Sequence, residues 1–90
     1  MAISHVNKLR REFKRVFGIG DDVLRDAIRL PEDDPGQWSP SADAILYTEY
    51  GLPDPVWGST STIEAYIEIG RRCGGFIEPI NGGVASFFVD

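Results

Sequence analysis

Ninety residues, with 42% hydrophobic and 26% charged side chains, make one ordinary globular domain with a single core and little room for a deep pocket. The formal net charge is -5, Cys73 is the only cysteine and His5 the only histidine, which excludes an intrachain disulfide and leaves no firmly held histidine for a Ser-His-Asp or Cys-His pair. No apolar run approaches the ~18 residues that span a bilayer, so the expectation is a cytoplasmic, non-enzymatic protein with no cofactor and no membrane partner.

The charge is unevenly spread. Residues 1–18 carry Lys8, Arg10, Arg11, Lys14 and Arg15 against Glu12 alone, whereas residues 19–70 carry Arg25 and Arg29 against eleven acids. A basic arm precedes an acidic body, and that polarity bears on partners more than the total does.

In chain order, Val6, Leu9, Phe13, Val16 and Phe17 fall on one stripe at about 100° per residue, with Arg11, Lys14 and Arg15 opposite, which predicts an amphipathic helix over 5–17. Ser4 suits its start, and Gly18 suits a C-terminus that needs positive φ. A short helix over 22–30 follows, capped by Asp21, with Val23, Leu24, Ala27 and Ile28 apolar, and Pro31 stops it. Residues 31–40, PEDDPGQWSP, form an acidic, proline-rich loop. Ser39-Pro40 opens a third helix over 41–50, although Ile45 to Tyr50 is also rich in strand formers. Residues 52–58, with Pro53 and Pro55, are a turn.

Ser61 and Glu64 have capping-box spacing for a helix over 60–73, with Ile63, Tyr66, Ile67, Gly70 and Cys73 as its buried stripe and Gly74-Gly75 as its stop. Residues 76–80 and 84–89 then make a β-hairpin. Asn81-Gly82 between two apolar runs predicts a type I′ turn, which demands positive φ at both central residues. The fold class is therefore α+β: three or four short helices, then a C-terminal hairpin.

That order resembles the winged helix-turn-helix fold in the C-terminal half. Residues 41–50 stand where that fold has its supporting helix, 52–58 its turn and 60–73 its recognition helix. Gly75-Phe76-Ile77-Glu78 resembles its step into the wing, with Asn81-Gly82-Gly83 at the wing tip. The resemblance implies a DNA-binding regulator that uses Ser59, Thr60, Ser61, Thr62 and Tyr66 on DNA. Lys8, Arg11, Lys14 and Arg15 of the first helix and Asn81 of the wing would then lie on phosphate. Against it, Glu64, Glu68, Arg71 and Arg72 cancel on the outward face of the recognition helix, where phosphate contact calls for cations.

The leading expectation is different. Acidic side chains around loop tryptophans fit a basic partner surface, because complementary potentials steer encounter and Trp is enriched at binding hot spots. Glu32, Asp33, Asp34, Trp38, Asp43, Glu49, Asp54 and Trp57 are the candidate partner-binding residues. In size, charge and lack of catalytic groups the chain is similar to the small inhibitors that phages encode against host defence, anti-CRISPR proteins among them, though it shares no motif with them. The same acids lack the alternation and turn glycine of a calcium loop, so no metal site is expected. A third reading is an adaptor subunit, or a dimer, whose hairpin edge at 84–89 pairs with another chain.

Overall fold

The structure, a computed structural model, describes residues 2–55 and 59–90. Three helices, α1 (Ala2–Phe17), α2 (Asp21–Ala27) and α3 (Thr60–Arg72), accompany four strands, β1 (Ile28–Arg29), β2 (Ala44–Tyr47), β3 (Gly75–Asn81) and β4 (Val84–Val89). The strands form one antiparallel sheet in the order β1-β2-β4-β3. The chain is α+β, as expected.

The helices cover one face of the sheet. Val6, Leu9 and Phe13 of α1, Leu24 and Ala27 of α2, and Tyr66, Ile69 and Cys73 of α3 bury against Ile28, Ala44, Leu46, Ala85 and Phe87. The opposite face holds a smaller cluster of Ala42, Ile45, Tyr47 and Val84, with Phe88 packed on it. Tyr50 stacks on Tyr47 with ring centroids 4.9 Å apart, and the Arg29 guanidinium lies 5.7 Å from both rings.

The expected helix over 41–50 is not formed: Ala44–Tyr47 is a strand and Thr48–Tyr50 a 3-10 turn. The reason is burial on two sides. All four residues of β2 are buried, Ala44 and Leu46 toward the helices and Ile45 and Tyr47 toward the second cluster. A helix would have buried only one stripe of that run, whereas a central strand buries both faces. The second helix is also shorter than the expected 22–30, because Ile28 and Arg29 leave it to pair with Leu46 and Ile45. Arg10 compensates the shortened end, donating to the carbonyls of Ile28 (2.6 and 3.0 Å) and Arg25 (3.2 Å).

The caps differ from expectation too. α1 already runs at Ala2, so Ser4 lies inside it. Gly20, not Asp21, is the N-cap of α2. Ser59, not Ser61, caps α3, accepting from the Thr62 N–H at 3.3 Å. On α3 the buried face is Tyr66, Ile69, Gly70 and Cys73, while Ile67 is 57% exposed. That face is set by Gly70, where a Cβ would stand 3.1 Å from the Phe76 Cα, so helix and strand touch backbone to backbone there.

The hairpin is present with its loop one residue later than expected. Asn81 pairs with Val84 across Gly82-Gly83, and neither glycine has positive φ, so the I′ turn is not formed. Instead the Asn81 Oδ1 accepts from the Gly83 N–H at 2.8 Å, and a register shift between Pro79 and Asn81 interrupts the ladder before the loop. β4 pairs with β3 along its length and with β2 over residues 84–87, so the expected open edge at 84–89 is reduced to Phe88 and Val89. The open edges are β1 and β3, and β3 carries Pro79, which has no N–H to offer a further strand.

Candidate functional site

Residues 31–43 reach the sheet face opposite the helices at Asp34, which bonds Tyr47, and at Ala42, and they owe their shape to Asp34. Its side chain is buried (4% exposed), and its carboxylate accepts from the backbone N–H groups of Gly36 (3.1 Å) and Trp38 (2.9 Å) and, in a very short contact, from the Tyr47 hydroxyl. One side chain thus ties a loop with few apolar anchors to a central strand. The indole of Trp38 occupies the space that a Cβ at Gly36 would need, and Gln37 takes φ 50° to complete the fold-back. Trp38 itself remains 50% exposed. Glu32 and Gln37 line a shallow groove of about 380 Å³ with Pro31, Pro40 and Ala42. Asp33 opens on another groove, which it shares with Arg10, Arg25, Asp26 and Arg29.

The eight candidate partner-binding residues therefore do not form one face. Glu32, Asp33 and Trp38 are exposed on the loop, and Asp34 lies beneath it. The Asp43 Oδ2 accepts from the Val89 N–H at 2.8 Å. Glu49 sits beside Gly83 at the hairpin loop, and Asp54 is half-buried in the turn that follows Leu52. Trp57 lies outside the described residues.

The residues expected on DNA are likewise separated. Tyr66 is 3% exposed and donates its hydroxyl to the Pro53 carbonyl at 2.5 Å, so it belongs to the core, where burial and then the Asp54 charge push its pKa up. The Ser59 hydroxyl is within hydrogen-bonding distance of Ser61 (2.9 Å) and Thr62 (3.1 Å), and Thr60 is exposed beside them. Asn81 is engaged by its own turn. Lys14 pairs with Asp21 at 3.1 Å.

What the fold does bring together is α1 and the last turn of α3. Glu12, buried between them, accepts from Arg15 Nη2 at 2.8 Å and from Arg72 Nε at 2.7 Å. Lys8 and Arg11 stand on the same side, close enough that both, with Arg72, act on the Cys73 thiol. That thiol is buried and its pKa is pushed up, so it is not an activated nucleophile. Sequence spacing places Lys8, Arg11 and Arg15 on one stripe but gives no sign that Arg72, sixty residues away, joins them.

The hydrogen bond from Arg15 is the main reason that the Glu12 carboxyl falls from 4.5 to about 2, with Arg72 adding to it and burial opposing it. Because the folded value lies below the unfolded one, the stabilisation is complete above about pH 4.5 and is lost as pH falls toward 2. With both arginines half in solvent, about 1–2 kcal/mol is the expected size. E12Q should lose that amount at pH 7 and converge with the parent chain near pH 2, as read from urea unfolding across the range.

Among the described residues no group of three or more His, Cys, Asp or Glu side chains is placed to hold a metal ion, and no helix is long and apolar enough to cross a membrane. The chain matches no known protein family, no curated protein and no solved structure.

Proposed function

We propose that this is a small non-enzymatic binding protein that docks its acidic, Trp38-bearing loop onto the basic, nucleic-acid-binding surface of a partner protein and occludes it. The observation that carries this reading is the Asp34 anchor. A buried carboxylate that accepts three hydrogen bonds fixes a loop whose outer side chains are left unsatisfied by the core. A loop ordered in advance loses less conformational entropy on binding than a free one. Trp38 supplies exposed aromatic area of the kind found at hot spots, and Glu32 and Asp33 supply charge that steers a basic partner. The mode of action, steric and electrostatic occlusion, matches that of the small phage-encoded inhibitors which the chain resembles in size and charge.

The test is capture of a partner by the tagged chain, followed by binding measurements on the purified pair. Heparin or excess duplex DNA should release the partner, because both compete for a basic surface. W38A and E32K/D33K should each weaken binding at least tenfold, about the cost of losing one hot spot. Affinity that ignores these substitutions and resists heparin would sink the reading.

A further inference from the structure

We infer that the face shared by α1 and the C-terminal turn of α3 is a second binding surface, fitted to the phosphate backbone of double-stranded nucleic acid. It is independent of the acidic loop and uses none of its residues. Lys8, Arg11 and Arg15 lie on the side of α1 away from the core and span about 10 Å at 1.5 Å per residue. Arg72 joins them from α3 through Glu12, while Arg71 pairs with Glu68 on α3 itself. Set against Glu12, the four cations Lys8, Arg11, Arg15 and Arg72 carry a local excess of three positive charges.

Glu12 makes this a built surface instead of a loose one. By binding Arg15 and Arg72 at once it holds two guanidinium groups in place, yet both side chains remain about half exposed (55% and 51%). Each guanidinium has five N–H donors in a planar fork, so donors remain for a phosphate after Glu12 is satisfied. The acids of α2 do not compete. Asp21 pairs with Lys14 and Asp22 with Arg25, while Asp26 and Asp33 face the groove that Arg10, Arg25 and Arg29 line.

The overall negative charge does not cancel the patch. The molecule measures 30 × 26 × 23 Å, whereas charges are screened beyond ~10 Å at 0.1 M salt. A phosphate beside Lys8, Arg11 and Arg15 therefore senses the local excess more than the molecule's net charge. The exposed aromatics among the described residues lie elsewhere: Trp38 on the loop, Tyr50 on Tyr47, and Phe76 stacked on Phe88. Single-strand binding draws on aromatic stacking platforms, and this face has none, which favours a duplex read through its backbone, without sequence preference.

Fluorescence anisotropy on a mixed-sequence duplex of about 20 base pairs, between ~50 and ~200 mM salt, tests this. About four phosphate contacts predict a log–log salt slope of roughly -3 to -4. K8E/R11E should weaken binding at least tenfold and flatten the slope by about 2, whereas E32K/D33K should leave duplex affinity unchanged or raised. K8Q/R11Q, which removes charge without reversing it, should give a smaller loss in the same direction and covers the case of a charge-reversed chain that misfolds. No duplex binding at ~50 mM salt, or equal affinity in K8E/R11E, would overturn the inference. So would tighter binding to the matching single strand, to phosphatidylserine vesicles or to polyglutamate than to the duplex.

Discussion

Phe13→Ala should remove about 3–5 kcal/mol, the usual cost of truncating a fully buried phenylalanine. A chain of this length has roughly 5–13 kcal/mol in total at 0.05–0.15 kcal/mol per residue, so one substitution takes a large share of the whole. Phe13 is 0% exposed and meets Tyr66 edge-on, with ring centroids 5.2 Å apart, and Phe17 at 5.6 Å. Tyr66 in turn holds the turn after Leu52 through its bond to Pro53. Truncation therefore leaves a cavity where α1, α3 and that turn meet, and little nearby can collapse into it. Phe13→Leu, which keeps most of the volume, should cost about 1–1.5 kcal/mol. Urea unfolding followed by circular dichroism reads both. A loss under ~1 kcal/mol for the alanine variant would place the centre of the core elsewhere.

That core was readable because most of the α1 stripe follows helical spacing, although Val16, expected on it, is exposed. Val6, Leu9 and Phe13 recur at helical spacing, and all three are fully buried. Gly18 takes the positive φ of 69° that its place after the helix demanded. The reading failed where tertiary pairing overrode local signals. Ser39-Pro40 opens no helix, because residues 44–47 are worth more between β1 and β4, where both faces are buried. Asn81-Gly82 marks the hairpin correctly, but the bulge near Pro79 changes the register and with it the turn.

The candidate surfaces were legible in composition and not in geometry. A run of three acids, Glu32-Asp33-Asp34, reads as one patch. In the fold Glu32 and Asp33 are exposed, and Asp34 is buried as an acceptor for its own loop. Nothing in a linear pattern distinguishes the third acid from the first two, since its partner is Tyr47, thirteen residues on in another element. The basic stripe of α1 was visible, but its completion by Arg72 and its fixing by Glu12 depend on how α3 crosses α1. Even so, the two surfaces share no residue, so a substitution in one should be silent in the other.

Asp34→Ala is the substitution that puts this separation to its sharpest use. It strands two backbone N–H groups and a buried hydroxyl, and with about 1–3 kcal/mol for each buried group left unpaired, relaxed in part by water entering the freed loop, a net loss of about 3 kcal/mol is expected. Tyr47→Phe removes only one of the three bonds and should cost about 1 kcal/mol. The two losses should not add, because both act on the same bond, and a double-mutant cycle should give a coupling of at least ~0.5 kcal/mol. In a W57F background, Trp38 emission should shift to the red and its quenching by acrylamide should rise in the alanine variant as the fold-back over Gly36 opens. If the loop is the docking element, that variant should bind a partner more weakly than W38A alone, since it frees the acids as well as the indole. Its affinity for duplex DNA should stay within twofold of the parent chain, because Arg15 and Arg72 are held by Glu12, and neither they nor Lys8 and Arg11 are tied to Asp34. A fall in both affinities together would mean that the loop and the basic face depend on one another, and the division into two independent surfaces would then be wrong.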